Sequence, residues 1–415
     1  MKKVLIIGSV WPEPSTTAAG HRMQQLLNSF LNFGWVTTFA STAARTHFSL
    51  DLEKIGVRTV PIQLNHSSFD DFIRELDPNI VVFDRFMVEE QFGWRVADNL
   101  PDAVRILNTE DLHSLRKTRE ECHKKGEKFT LGQWKSNDMT KREIASIYRS
   151  DLSLMVSTFE MELLLERLKL PKEIVMHLPF MLDEIMDEST ISWPSFQDRT
   201  GFITYGNGKH TPNVDSIWYL NQKIWPLIRN ELPEVTLKVF GAYLPQHIEQ
   251  LHKPKEGFHV LGWAENLDAE IQSSRVCLAP IRFGAGIKGK LIQSMQNGTP
   301  SVTTNIGAEG MNDESDWPGK IQDDPLEFAE SAIELYTNRK IWERAQMRGM
   351  ELINQNYCKH SLEKRLKSKL EHIALNLVTH RSQNFIGQLL QQQTIASTRF
   401  MGKWIEEKNK TKTDG

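Results

Sequence analysis

The sequence predicts two doubly wound, parallel α/β domains facing a cleft, followed by a helical carboxyl-terminal extension. Strand-like apolar runs alternate with amphipathic helical runs along most of the chain, which is the pattern of a parallel sheet covered on both faces. That alternation lapses over residues 186–199 and then restarts. The full length of 415 residues exceeds one typical hydrophobic core, so more than one domain is expected.

The first half opens with an apolar run at Val4–Ile7, then a helical pattern near Ala19–Phe33 and further strand-like runs at Val36–Ala40, Arg58–Ile62 and Ile80–Phe83. A helix around Glu89–Asn99 leads to Val104–Leu107, and a charged helical stretch covers 114–150 before Leu152–Val156 and Ile174–Met176. Residues 1–185 are therefore expected to form one Rossmann-like domain. The segment MDESTISWPSFQDR, 186–199, loses periodicity and reads as a linker. Strand-like runs resume at Gly201–Tyr205, Val235–Phe240, His259–Leu261, Val276–Ala279 and Ser301–Thr304, giving a second such domain over 200–355. Beyond Leu326 the pattern is helical. Leu362, Leu366, Leu370, Ile373 and Leu377 form a packing stripe, and a polar, partly disordered end is expected from about Gly402 within 356–415.

Composition narrows the function classes. Charged residues at 25% and hydrophobic ones at 40% are ordinary globular values, and a net charge of -3 carries no nucleic-acid signal. Cys122, Cys277 and Cys358 are odd in number and lack metal-ligand spacing, which points to a reducing, cytoplasmic setting. Pro12 and Pro14 cut short the apolar run at the amino terminus, which reads as a core strand rather than a signal peptide. No run has the roughly 18 apolar residues of a membrane span, so membrane contact is expected to be peripheral.

The densest chemistry lies at 277–311, CLAPIRFGAGIKGKLIQSMQNGTPSVTTNIGAEGM, which reads as strand, glycine loop, helix and strand. Gly284, Gly286 and Gly289 punctuate the loop, and Lys288 and Lys290 flank the helix start. Unpaired N–H groups and the positive end of the helix dipole suit an anion such as a diphosphate. Gly284 to Gly289 also fits the dinucleotide pattern G-x-G-x-x-G, with Glu309 near the expected acidic position, although Pro280 breaks the strand first. The phosphate-loop pattern fails, since Leu291 stands where a hydroxyl is required. A plain glycine turn is the remaining structural reading.

PIRFGAGIKGKLIQSMQNGTPSVTTNIGAEGM, together with FITYGNGKHTPNVDSIWYL, LNFGWVTTFAST and HLPFMLDE, resembles family 4 of the retaining, nucleotide-sugar-dependent glycosyltransferases, over roughly residues 1–355. The resemblance implies the GT-B fold, with an acceptor domain first and a donor domain second. It implies transfer of a sugar from a nucleoside diphosphate donor to a glycan or lipid-linked acceptor with retention of configuration, usually without a metal or other cofactor. Carried onto this chain, it makes Gly20, Gly206, Lys209, Gly286, Ile287, Lys288, Gly289, Lys290 and Gln293 the donor-binding residues, with Lys288 and Lys290 holding the diphosphate. Where the family commonly carries two glutamates, this chain has Ala285 and Gln293. The Gln293 amide retains hydrogen bonding to a ribose hydroxyl without the charge.

On the acceptor side, NTEDLHSLR at 108–116 follows the fifth strand. Glu110 and His113 there are candidates for proton handling beside Lys288, while Arg85, Asp111 and Arg116 are candidates for acceptor binding; for Asp111 a helix cap is the favoured reading. Residues 114–149 hold 10 Lys and Arg against 5 Asp and Glu, interleaved with Phe129, Leu131, Trp134 and Met139. That composition fits an anionic membrane surface as a further partner, and equally an ordinary surface helix with a buried stripe. Two other functions remain open: a nicotinamide-dependent oxidoreductase using GAGIKG, and a binder of nucleotide-sugar or glycan without turnover.

Overall fold

The computed structural model describes residues 2–185, 193–311, 317–392 and 400–405. Two parallel sheets organise them. The first runs β3-β2-β1-β4-β5-β6-β7, with β1 Lys3–Gly8, β2 Val36–Ser41, β3 Arg58–Pro61, β4 Ile80–Asp84, β5 Val104–Asn108, β6 Leu152–Met155 and β7 Val175–His177. The second runs β10-β9-β8-β11-β12-β13, with β8 Phe202–Tyr205, β9 Leu237–Phe240, β10 Phe258–Gly262, β11 Val276–Ala279, β12 Ser301–Thr303 and β13 Gly319–Ile321. β13 is too short and polar to show in the sequence pattern. Every strand pair is parallel, and the central strands are buried on both faces, which is why they read as unbroken apolar runs.

Strand order reverses between β1 and β4 in one sheet and between β8 and β11 in the other. Loops leaving these neighbours diverge, so each domain opens a crevice at the carboxyl ends of its strands. The two crevices face one another.

The charged stretch 114–149 is three helices, not one: His113–Lys125, Leu131–Ser136 and Asp138–Arg149. Gly126 ends the first at φ 69°, Thr130 and Gln133 form a reciprocal capping box on the second, and Asn137 caps the third. Trp134 is fully buried and Phe129 and Leu131 pack on the first-domain core, so the apolar residues of this stretch face inward.

The chain returns to its first domain at the end. Tyr357 accepts from the backbone of Leu182 at 2.8 Å, and the helix Lys359–Leu375 inserts Leu362, Leu366, Leu370 and Ile373 among Met23, Leu26 and Leu27. Residues 400–405 include one helical turn where a polar end was expected; the first half of the linker, 186–192, and the terminal 406–415 lie outside the described residues.

Candidate active site

A cavity of about 1010 Å³ lies between the domains and is lined by the residues expected from the sequence to bind donor or acceptor or to handle the proton. The first domain contributes the loop after β1, including Gly20, with Arg85 after β4 and Glu110, Asp111, His113 and Arg116 after β5. The second contributes Gly206 and Lys209 after β8, and Gly286 to Lys290 with Gln293 after β11.

The glycine loop is shaped by the opposite domain. Gly286 adopts φ 62°, and a Cβ there would stand 2.9 Å from Cβ of Asp111; one on Gly289 would stand 2.4 Å from Cβ of Ala18. No side chain fits at either place while the domains are together. Ala285 packs against the first-domain core, so the position where the resembled family carries a glutamate is an apolar interdomain contact here. Gly20, expected at the donor, has a packing reason of its own, since a Cβ would meet the backbone of Glu13 at 2.5 Å.

The helix Gly289–Gln296 begins in the cavity. Lys290, in its first turn, is buried and its ammonium has no hydrogen-bond partner, and burial pushes its pKa down to about 8. Lys288 is also lowered to about 8 by burial, with Glu309 opposing, and it donates to the carbonyl of Gly286 at 2.9 Å. Lys209 lines the same cavity, with its ammonium 3.6 Å from the ring centre of Tyr243. The Gln293 amide donates to Asp268 at 3.0 Å, which brings a carboxylate to the place from which the glutamate is missing.

On the facing wall, Asp111 accepts from Arg116 Nε at 2.7 Å and sits 2.9 Å from His113 Nδ1. Burial would raise its carboxyl, but Arg116 and His113 more than offset this and hold it well below the usual range. Burial would likewise depress His113, yet Asp111 and Glu143 raise it. Asp111 is not the helix cap that the sequence suggested. Glu143 accepts the N–H groups of His113 and Ser114 at 2.9 and 3.0 Å, and Glu160 accepts that of Leu112 at 3.0 Å. Those carboxylates arrive from remote helices, a placement that local sequence does not reveal.

Glu110 is pushed up to about 7 by burial, opposed by Arg22, and it accepts from Asn108 at 2.6 Å. Arg85 and Glu110 both have left-handed backbone, φ 77° and 63°, unusual for non-glycine residues and held by the strand ends that precede them. Arg22, Asp84 and His210 also line this cavity and were missed by the sequence reading. Arg22 is wholly buried with its guanidinium unpartnered, and His210 is pushed down to about 4 by burial with Arg116 adding to it. Glu309, the acidic residue of a dinucleotide fingerprint, is gripped by both terminal nitrogens of Arg119 at 2.6 and 2.8 Å.

Two facing Rossmann-like domains with this cleft define a GT-B protein. Residues 200–338 match the family described as Glycosyl transferases group 1. The fold is similar to sucrose-phosphate synthase from Thermosynechococcus elongatus, at TM-score 0.68 and 13% identity over 90% of this chain and 99% of that one. It is also similar to HepE from Anabaena in complex with UDP-glucose, at TM-score 0.65 and 11% identity over 90% and 100%. A 150-residue segment is 29% identical to an uncharacterised 44.6 kDa protein of the cps region of Klebsiella pneumoniae, covering 34% of this chain and 38% of that relative's length.

Proposed function

We propose that this chain is a glycosyltransferase that moves a sugar, of the hexosyl type, from a nucleoside diphosphate donor to a glycan or lipid-linked acceptor with retention of configuration. The observation that carries this reading is Lys290: a buried ammonium without a partner, at a helix start, in a cavity between two domains. An uncompensated buried cation is costly, and a diphosphate both neutralises it and takes the free N–H groups of the first helical turn. In the reaction the bond from the anomeric carbon to the diphosphate oxygen breaks as the acceptor oxygen bonds to that carbon on the same face. The departing diphosphate gains charge, which Lys290, Lys288 and the helix start stabilise without a metal. Glu110, poised at about 7, receives the acceptor proton, and Arg116, Asp111 and Arg85 orient the acceptor.

HepE in complex with UDP-glucose supports a nucleotide-sugar in such a cleft. A cytoplasmic location follows from the donor. The grip of Arg119 on Glu309 disfavours the nicotinamide reading, because the fingerprint acid is not free for a ribose. Calorimetric titration with UDP, GDP and ADP should show one bound in the micromolar range, and sugar transfer separates an enzyme from a binder. Binding to none of the three would sink the reading.

A further inference from the structure

Arg22, in the second turn of the helix Ala18–Asn32, is wholly buried and borders the cleft, yet none of its guanidinium nitrogens has a hydrogen-bond acceptor among the described residues. Other buried arginines are spent on the protein itself. Arg119 grips Glu309 and the carbonyl of Gly284, and Arg199 donates to Thr299 and to the carbonyls of Pro194 and Asn297. Burial lowers the pKa of Arg22, and the carboxyls that oppose this are Glu110 and Asp84. Both are turned to Asn108 instead, accepting from its amide at 2.6 and 3.1 Å. A guanidinium sealed from water with all its donors unmet is costly, and folding alone gives no reason to keep it.

Position and charge identify what would meet those donors. Arg22 stands one helical turn beyond Ala18, which lies against Gly289 at the diphosphate helix start, and it shares the first-domain wall with Arg85 and Glu110. A group held by Arg22 is therefore on the acceptor side of the reacting centre. The charges around Glu110 are Arg22, Asp84 and Arg85, so below about 7, where Glu110 holds its proton, two positive charges face one negative. Neutral hydroxyls would leave that excess unbalanced. The planar fork of a guanidinium instead matches two oxygens of one carboxylate or phosphate. The side chain has no hydrogen bond to break, so a rotamer change suffices to bring it to a ligand in the cavity.

We propose that Arg22 anchors an oxyanion subsite on the first-domain wall, and that the acceptor is an acidic glycan whose carboxylate or phosphate occupies it. The subsite stands on Arg22 itself, whereas calling its ligand the acceptor rests on the glycosyltransferase reading. An anion held there lies beside Glu110 and raises the proton affinity of that carboxyl, which favours Glu110 as the group that takes the acceptor proton. A neutral acceptor of the same shape leaves the guanidinium unmet, so Arg22 selects acidic sugars over neutral ones.

Thermal unfolding of the full chain in acetate, inorganic phosphate and, as a salt control, chloride tests the subsite. Acetate or phosphate should raise Tm saturably where chloride does not; a response to acetate alone assigns a sugar carboxylate, and one to phosphate alone a sugar phosphate. Arg22→Met should be at least as stable as the unmodified chain without added anion, and should bind the anion about tenfold more weakly or not at all. Arg22→Lys keeps the charge without the fork and should fall between the two. No response beyond chloride in the unmodified chain overturns the proposal. So does an Arg22→Met chain that is less stable, which would make the guanidinium structural, or a response kept by Arg22→Met and lost by Lys290→Met, which would put the anion at the diphosphate site. Loss of the response once a nucleoside diphosphate is bound would give Arg22 to the donor and overturn the acidic acceptor. Failure of every nucleoside diphosphate to bind would remove the glycosyltransferase reading and leave the outcome for the subsite unchanged.

Discussion

Glu160 of the first domain accepts the backbone N–H of Gly286 in the second at 2.8 Å. The same oxygen accepts from Leu112, so one buried carboxyl ties the glycine loop to the loop that carries Asp111. Burial, reinforced by Asp111, raises its pKa to about 8, so near neutral pH it is mostly a neutral acceptor. Its folded pKa lies above the ordinary 4.5, so its contribution to stability is complete below about 4.5 and fades as pH rises through about 8. Tm followed by calorimetry should therefore decline across that window. Glu160→Gln keeps a carbonyl acceptor and should flatten the decline, whereas Glu160→Ala should cost about 1–3 kcal/mol at pH 6 by leaving two buried N–H groups unpaired. An unchanged slope in the glutamine variant would contradict the assignment.

Lys290 makes the opposite trade. Replacing it by Met removes an unpartnered buried charge, so the ligand-free protein should gain about 1–3 kcal/mol at pH 7. Its folded pKa of about 8 lies below the ordinary 10.5, so that gain should shrink as pH rises from about 8 towards 10.5. Nucleoside diphosphate affinity should fall by about tenfold or more, since a charge-assisted contact is lost. In the unmodified chain, affinity should weaken above pH 8. A variant that is both less stable and equally good at binding would remove Lys290 from the site.

Gly289 and Ala18 test whether the domains close as described. Gly289→Ala places a methyl 2.4 Å from Cβ of Ala18, so the domains must part, and donor affinity should drop about tenfold because the cleft is assembled only when both walls meet. Ala18→Gly removes the obstructing atom and should restore most of it in the double variant. Small-angle scattering should show the single variant expanded and the double variant compact. Without rescue, the loss would lie in the helix start itself rather than in the approach of the domains.

The residues of the candidate cleft were legible where their signal was local. Gly284 to Lys290 announce a loop and helix start by composition, and the strands β4, β5, β8 and β11 announce their carboxyl ends by where the apolar runs stop. Every residue chosen on those signals lines the cleft. What the sequence hid was distance. Arg119 reaches Glu309 across 190 positions, Glu160 reaches Gly286 across 126, and Glu143 caps a helix that begins at His113. Long-range pairs leave no periodic trace, so neither the capping of that helix by Glu143 nor the pairing of Glu309 with Arg119 shows in the local sequence.

Arg119 and Glu309 also reach into the chemistry through Lys288. Arg119 holds both Glu309 oxygens and the carbonyl of Gly284, while the rings of Phe129 and Phe159 lie 5.2 Å from its guanidinium carbon. Burial lowers Lys288 to about 8, and Glu309 is the leading group that opposes this. Glu309→Gln deletes that opposing charge and leaves Arg119, itself a depressing influence, unneutralised, so the pKa of Lys288 must fall further. If Lys288 stabilises the leaving diphosphate as an ammonium, the alkaline limb of kcat should move to lower pH in this variant. The acidic limb, set by Glu110 at about 7, should stay in place. Replacing Arg119 by Met in the same chain removes the unpaired guanidinium and should move the alkaline limb back towards its original position. Limbs that shift together, or an alkaline limb that ignores both substitutions, would separate Lys288 from the reaction.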